Sequence, residues 1–130
     1  MGDNAEKKIL VVDDSSTMRR ILVNTLNRLG YTQTAQAGNG VEALAECEKA
    51  QFDCILADWN MPEMDGLEMT IRLRKMSKYD VTPVIMVSTE DGKSDVVQAL
   101  TQGATDYIVK PFTPDVIQAK IERALSASPH

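Results

Sequence analysis

Histidine is almost absent from this sequence, and the one present, His130, is the last residue. Histidine-based acid–base catalysis and a phosphohistidine relay are therefore excluded from the interior, so any phosphoryl chemistry must run on carboxylates. Cysteine is nearly as scarce. Cys47 and Cys54 form no Cys-x-x-Cys pair and have no histidine cluster beside them, so buried structural thiols are expected rather than a metal or redox site. Long apolar runs are missing too, since none approaches the roughly 20 residues needed to span a bilayer. The start, Met1 to Lys8, lacks the apolar stretch of a secretory signal, and Glu6 stands where a myristoylation signal would carry Ser or Thr. Cytoplasmic residence is the resulting expectation.

Positive charge is in short supply. Fourteen basic side chains face 19 acidic ones, giving a formal net charge of −5, and the basic residues are scattered apart from pairs such as Lys7-Lys8 and Arg19-Arg20. A nucleic-acid or anionic-membrane surface needs a basic stripe, and none is present. What remains is a composition of 43% hydrophobic and 25% charged residues over 130 positions, enough for one domain with a core that needs no staples. With no separate output domain expected, the surface of this domain must itself be the output.

Five short apolar runs punctuate the chain: Ile9–Val12, roughly 32–37, Cys54–Ala57, Val84–Val87 and Tyr107–Val109. The first, third and fourth are continuous rather than alternating, as expected for strands covered on both faces. The second, with Gln33, Thr34 and Gln36, reads as an edge strand. Helical spacing fills the intervals. Met18, Ile21, Leu22, Thr25, Leu26 and Leu29 share a face that stops at Gly30. Val41, Leu44, Ala45 and Glu48 follow Asn39, a cap with Glu42 three residues on. Leu67 to Met76 is a third helix of ambiguous face, and Val96, Ala99 and Leu100 mark a fourth that ends at Gly103. Thr113 caps a fifth that begins at Pro114 and carries Ile117, Ile121, Ala124 and Leu125. The first seven residues and the tail from Ser126 to His130 read as loose ends.

Strand and helix alternating five times predict an α/β fold, a doubly wound parallel sheet with five helices on its two faces. Ligands of such sheets bind beyond the carboxyl ends of the strands. There the first strand delivers Asp13 and Asp14, the third Asp58, the fourth Ser88 and the fifth Lys110 followed by Pro111. Singly, each is an ordinary turn former, cap or solvated charge; the convergence of four strand ends is what carries the inference. Three adjacent carboxylates repel one another, and a hard divalent cation such as Mg2+ would relieve them. Lys110 offers charge and Ser88 a hydrogen bond to an incoming anion. The set predicts carboxylate attack on phosphorus to give an acyl phosphate, with the identity of the attacking carboxylate left open.

Val11-Val12-Asp13-Asp14, Ser16–Ile21, Asp58-Trp59-Asn60-Met61-Pro62, Met64-Asp65-Gly66 and Tyr107–Thr113 together resemble the receiver domain family of response regulators, over roughly residues 8 to 125. Trp59, Asn60, Ser16–Ile21 and Pro111-Phe112-Thr113 are most similar to its single-domain chemotaxis members. The resemblance implies one receiver domain over 1–130 with a flavodoxin-like sheet of order 2-1-3-4-5, an order taken from the family. It implies Asp58 as phosphoacceptor, with Asp14, Asp58 and the backbone carbonyl of Asn60 as magnesium ligands and Asp13 acting through a bound water. Lys110 would pair with the phosphoryl group and form a cis peptide with Pro111. Ser88 and Tyr107 would form the switch, Ser88 moving toward the phosphoryl group and Tyr107 turning inward. Asn60 and Glu90 would set the lifetime of the acyl phosphate.

The partners implied are a chemotaxis-type sensor histidine kinase and the flagellar motor switch protein, with room for a dedicated phosphatase, on a monomer. A stand-alone phosphate sink or a regulator outside motility is the alternative. Ser88 departs from the threonine common in the family, and the loop from Thr89 to Asp95, with Gly92, departs from its alanine-rich form. A phosphohydrolase resembling haloacid dehalogenases would need Asp-x-Asp after the first strand; Ser15 occupies the third place.

Overall fold

The computed structural model describes residues 2–89 and 93–127, so the expectations attached to Glu90, Gly92 and His130 lie outside the described residues. Five strands form one parallel sheet: β1 (Lys8–Val12), β2 (Gln33–Ala37), β3 (Cys54–Ala57), β4 (Val84–Ser88) and β5 (Asp106–Val109), in the order β2-β1-β3-β4-β5. The register pairs Val12 with both Ala37 and Ala57, and Ser88 with Val109, so the chemistry-bearing residues that follow the strands emerge at one edge. Among the described residues there are six α-helices: α1 (Gly2–Glu6), α2 (Ser16–Arg28), α3 (Gly40–Lys49), α4 (Gly66–Arg74), α5 (Lys93–Thr101) and α6 (Pro114–Ala127). None is long and apolar enough to cross a membrane.

The continuous apolar runs find their reason in two covered faces. Ile9 and Val11 of β1 point into a layer with Leu22 and Leu26 of α2 and Ile117 and Ile121 of α6. Leu10 and Val12 point the other way, against Ala43 and Cys47 of α3 and Met69 and Leu73 of α4. Period-two alternation of side chains makes every residue of such a strand a core residue. The two cysteines sit in opposite layers. Burial pushes the Cys47 thiol up to about 11 and the Cys54 thiol up to about 12, so both are inert, as expected of structural thiols.

Three expectations need correction. The first is the helix count, because the start of the chain is not loose. The Asn4 side-chain amide donates to the carbonyl of Leu29 at 2.8 Å, and Gln33 donates to that of Ala5 at 2.7 Å. Tertiary hydrogen bonds thus hold α1, which has no amphipathic period to announce it. At the other end α6 runs through Ser126. The third correction concerns α3, which buries Gly40, Ala43 and Cys47, whereas Val41, Ala45 and Glu48 face solvent. Small residues let the helix lie close, since the Gly40 N–H donates to the Met64 carbonyl at 2.9 Å and a Cβ there would come within 2.8 Å of the same oxygen.

Caps lie where the sequence places them. Asn39 accepts from the Glu42 N–H at 2.9 Å while the Glu42 carboxylate accepts from Gly38, and Thr113 accepts from Val116 ahead of Pro114. Arg74 has no counterpart in the sequence reading. Its guanidinium donates to the carbonyls of Tyr79, Thr82 and Gly103, tying the end of α4 to the loops before β4 and β5.

Candidate functional site

The site is built where β1, β3, β4 and β5 end. The Asp13 N–H donates to Ala37 at 3.1 Å and the Asp58 N–H to Val12 at 2.9 Å, so each carboxylate stands one residue beyond a fixed ladder. The Lys110 N–H donates to the Ser88 carbonyl at 2.8 Å, which places the lysine at the same edge, and the Lys110–Pro111 peptide is cis, as expected.

The side chains converge. Oxygens of Asp13, Asp14 and Asp58 all lie within 4.8 Å of one another. Lys110 Nζ donates to Asp13 Oδ2 at 2.9 Å and stands 3.5 Å from Asp58 Oδ2. The other oxygens are held by backbone: Asp13 Oδ1 by the Ser15 N–H at 2.9 Å and Asp58 Oδ1 by the Trp59 N–H at 2.8 Å. Asp13 is only 1% exposed, whereas Asp14 is open to solvent. Ser15 itself is occupied as the cap of α2, its hydroxyl accepting from Met18.

Among the described residues, three carboxylates face one ammonium, which leaves the cluster under-compensated. Burial and the neighbouring Asp13 push the Asp58 carboxyl above its ordinary value, more than Lys110 and the Trp59 N–H pull it down. An all-oxygen donor set with surplus negative charge, one member open to water, fits a hard divalent cation such as Mg2+.

Ser88 is fully buried at the end of β4, and Asn60 is exposed two residues past Asp58. Tyr107 is 7% exposed and edge-on to Trp59 with ring centroids 6.5 Å apart, in a cluster with Met86, Ala99 and Ala104. Met61 and Met64 pack against the α3–α4 side of the core as loop residues.

Two positioning features escaped the sequence reading. Arg19 donates to the Asp13 carbonyl at 2.7 Å and to the Gln36 side chain at 3.0 Å, anchoring the acidic turn to the edge strand. Gly66 opens α4 directly behind Asp58, where a Cβ would overlap the Asp58 carbonyl oxygen. Its N–H donates to Trp59 at 2.9 Å. Both residues lie in stretches that carry the family resemblance, but the reason for each is a contact across the fold. Gly66→Ala is expected to lower stability by about 1–3 kcal/mol through overpacking, and to shift the amide resonances of Asp58 and Trp59. Urea unfolding and a two-dimensional amide spectrum check both effects.

Residues 9–122 match the response regulator receiver domain family. Chemotaxis protein CheY1 of Helicobacter pylori is 49% identical over 122 residues, covering 93% of this chain and 98% of that protein. The solved chemotaxis response regulator CheY4 of Vibrio cholerae superposes with a TM-score of 0.86 at 39% identity, over 92% of this chain and 98% of that one. The receiver domain of the sensor histidine kinase PA1611 from Pseudomonas aeruginosa, solved with magnesium coordinated in its active-site cleft, matches with a TM-score of 0.86 at 26% identity, over 93% and 98%. Fold, strand-end carboxylates and sequence agree, and the chain belongs to the response regulator receiver domain family.

Proposed function

We propose that this chain is a phosphorylation-activated switch of a two-component system, with Asp58 as phosphoacceptor and an output in chemotaxis. The observation that carries the proposal is the placement of the Asp58 carboxylate between two further carboxylates and the Lys110 ammonium, at the carboxyl edge of the sheet. Asp58 Oδ2 attacks the phosphorus of a phosphohistidine on a sensor kinase. A P–O bond forms, the P–N bond breaks, and the imidazole leaves with its electron pair. Water later hydrolyses the acyl phosphate and restores the carboxylate. Lys110 neutralises charge on the transferred group, and the Trp59 N–H fixes the orientation of the attacking carboxylate.

Asp14, Asp58 and the Asn60 carbonyl would hold Mg2+, with Asp13 through water; the ion supplies charge neutralisation for the dianionic phosphoryl group. The magnesium seen in the P. aeruginosa receiver supports this reading. Ser88 donates to the phosphoryl group once it is present, and Tyr107 packs behind it. Two packings close in free energy are then biased by those contacts. The chain acts as a switch that turns over only its own acyl phosphate, as a cytoplasmic monomer.

The names of the H. pylori and V. cholerae relatives support chemotaxis as the pathway, with a chemotaxis kinase as donor and the flagellar motor switch protein as target. Titrating the N-terminal peptide of a motor switch protein with magnesium, before and after beryllofluoride, tests both parts. Fluorescence of Trp59, the only tryptophan, reports whether the phosphoryl mimic has bound. Tighter peptide binding on activation is expected. A Trp59 response without peptide binding would keep the receiver chemistry and favour a phosphate sink or a regulator outside motility.

A further inference from the structure

The three carboxylates of the cluster are not held alike. Asp13 is bonded at both oxygens, by the Ser15 N–H and by Lys110, and Asp58 Oδ1 accepts from the Trp59 N–H. The exposed Asp14 carboxylate has no hydrogen bond or ion pair of its own among the described residues. An oxygen of it nevertheless lies within 4.8 Å of the other two. Its direction is therefore inherited from the backbone. The peptide that joins Asp13 to Asp14 is fixed at the Asp13 carbonyl, which accepts from Arg19 Nη1 at 2.7 Å.

Arg19 is well placed to hold that peptide still. It stands half-buried near the start of α2, where its own N–H donates to the Ser15 carbonyl at 3.0 Å. Its Nε donates to the Gln36 side chain on β2 at 3.0 Å, and the Asp13 N–H donates to Ala37 on the same strand at 3.1 Å. The peptides on both sides of Asp13 are thus tied to β2, and the planar guanidinium serves two acceptors at once. Among the described residues Arg19 makes no ion pair, so its charge stands uncompensated beside the acidic turn.

A cation so placed acts on a bound divalent ion in two opposed ways. Its charge repels the ion, whereas its hydrogen bonds preorganise a ligand. The charge is partly screened by solvent, and the loss of an outer group that orients a ligand weakens metal binding by roughly 10–100-fold. We propose that Arg19 is a positioning residue for the divalent cation: by fixing the Asp13–Asp14 peptide it aims Asp14 at the ion and favours Mg2+ over Ca2+. Mg2+ demands near-octahedral geometry and Ca2+ tolerates a flexible shell, so a loosened Asp14 costs Mg2+ more. The inference deepens the proposed magnesium site and rests on it.

The test titrates the full chain with Mg2+ and, separately, Ca2+, followed by the fluorescence of Trp59 next to Asp58. Arg19→Met keeps the stem and removes both bonds. It is expected to bind Mg2+ about tenfold more weakly than the wild type and Ca2+ only about twofold more weakly. Gln36→Ala changes no charge and frees one of the two bonds, and a loss of about threefold for Mg2+ is expected. Urea unfolding checks that each variant is folded under the titration conditions. Equal or tighter Mg2+ binding by Arg19→Met would reduce the guanidinium to a repelling charge and overturn the proposal. Equal losses for the two ions, the mark of a merely structural role, would overturn it as well. If Arg19→Met does not fold, Gln36→Ala decides, and unchanged Mg2+ binding there sinks the positioning role. A wild type with no saturable response to Mg2+ would instead remove the metal site itself, and the positioning with it.

Discussion

Asp58→Asn is expected to lower acyl-phosphate formation by at least about two orders of magnitude, because a carboxamide oxygen is a poor nucleophile where a carboxylate attacks. The same substitution should stabilise the protein when chelator keeps it metal-free at neutral pH. Burial and Asp13 hold the Asp58 carboxyl above its ordinary value despite Lys110. A raised carboxyl contributes stability that is fully present below the unfolded-state value and is lost as pH rises through the folded-state value. At neutral pH the wild type has lost that contribution, and the asparagine, with no charge to desolvate, bears no such cost. Melting curves should therefore rank Asp58→Asn above the wild type at neutral pH, with the gap closing toward pH about 4. Added magnesium should raise the wild type more than the variant. Labelling that survives the substitution would move the acceptor elsewhere.

Lys110→Met is expected to cost about 3 kcal/mol of stability in the metal-free protein. The variant keeps most of the apolar stem and removes only the ammonium that sits 2.9 Å from Asp13 Oδ2 and 3.5 Å from Asp58 Oδ2. The Asp13 side chain is 2% exposed, and a buried charge stripped of its partner is far more costly than a broken surface pair. Magnesium should recover part of the loss and bind the variant more tightly than the wild type, because the lysine and the cation neutralise the same carboxylates. Phosphorylation should nevertheless slow by roughly a hundredfold, since the charge facing the transferred group is gone. Urea unfolding with and without magnesium, alongside a magnesium titration, separates these effects. Unchanged stability, or weaker magnesium binding, would mean that Lys110 is not the counter-charge of the cluster.

The parts legible in the sequence were those governed by local pattern or by strand order. Runs such as Cys54–Ala57 coincide with a strand to the residue, because a strand covered on both faces leaves no position for a polar side chain. Asp13, Asp14, Asp58 and Lys110 meet because parallel strands must share a carboxyl edge. Elements set by long-range contact were not legible. The face of α3 turned out to be Gly40, Ala43 and Cys47 because close approach to Met64 outweighed the burial of Val41. Helix α1 depends on hydrogen bonds to Leu29 and Gln33, and the reason for Gly66 is the carbonyl of Asp58.

Activation rests on one covalent event, and its site can be read directly. The chain would be incubated with a small acyl-phosphate donor, with magnesium or with chelator, then reduced with borohydride and digested for peptide mass analysis. Reduction converts an aspartyl phosphate to homoserine, which marks the acceptor permanently. The prediction is homoserine at position 58 in the magnesium sample alone. Homoserine at Asp13 or Asp14, or at 58 irrespective of magnesium, would contradict it.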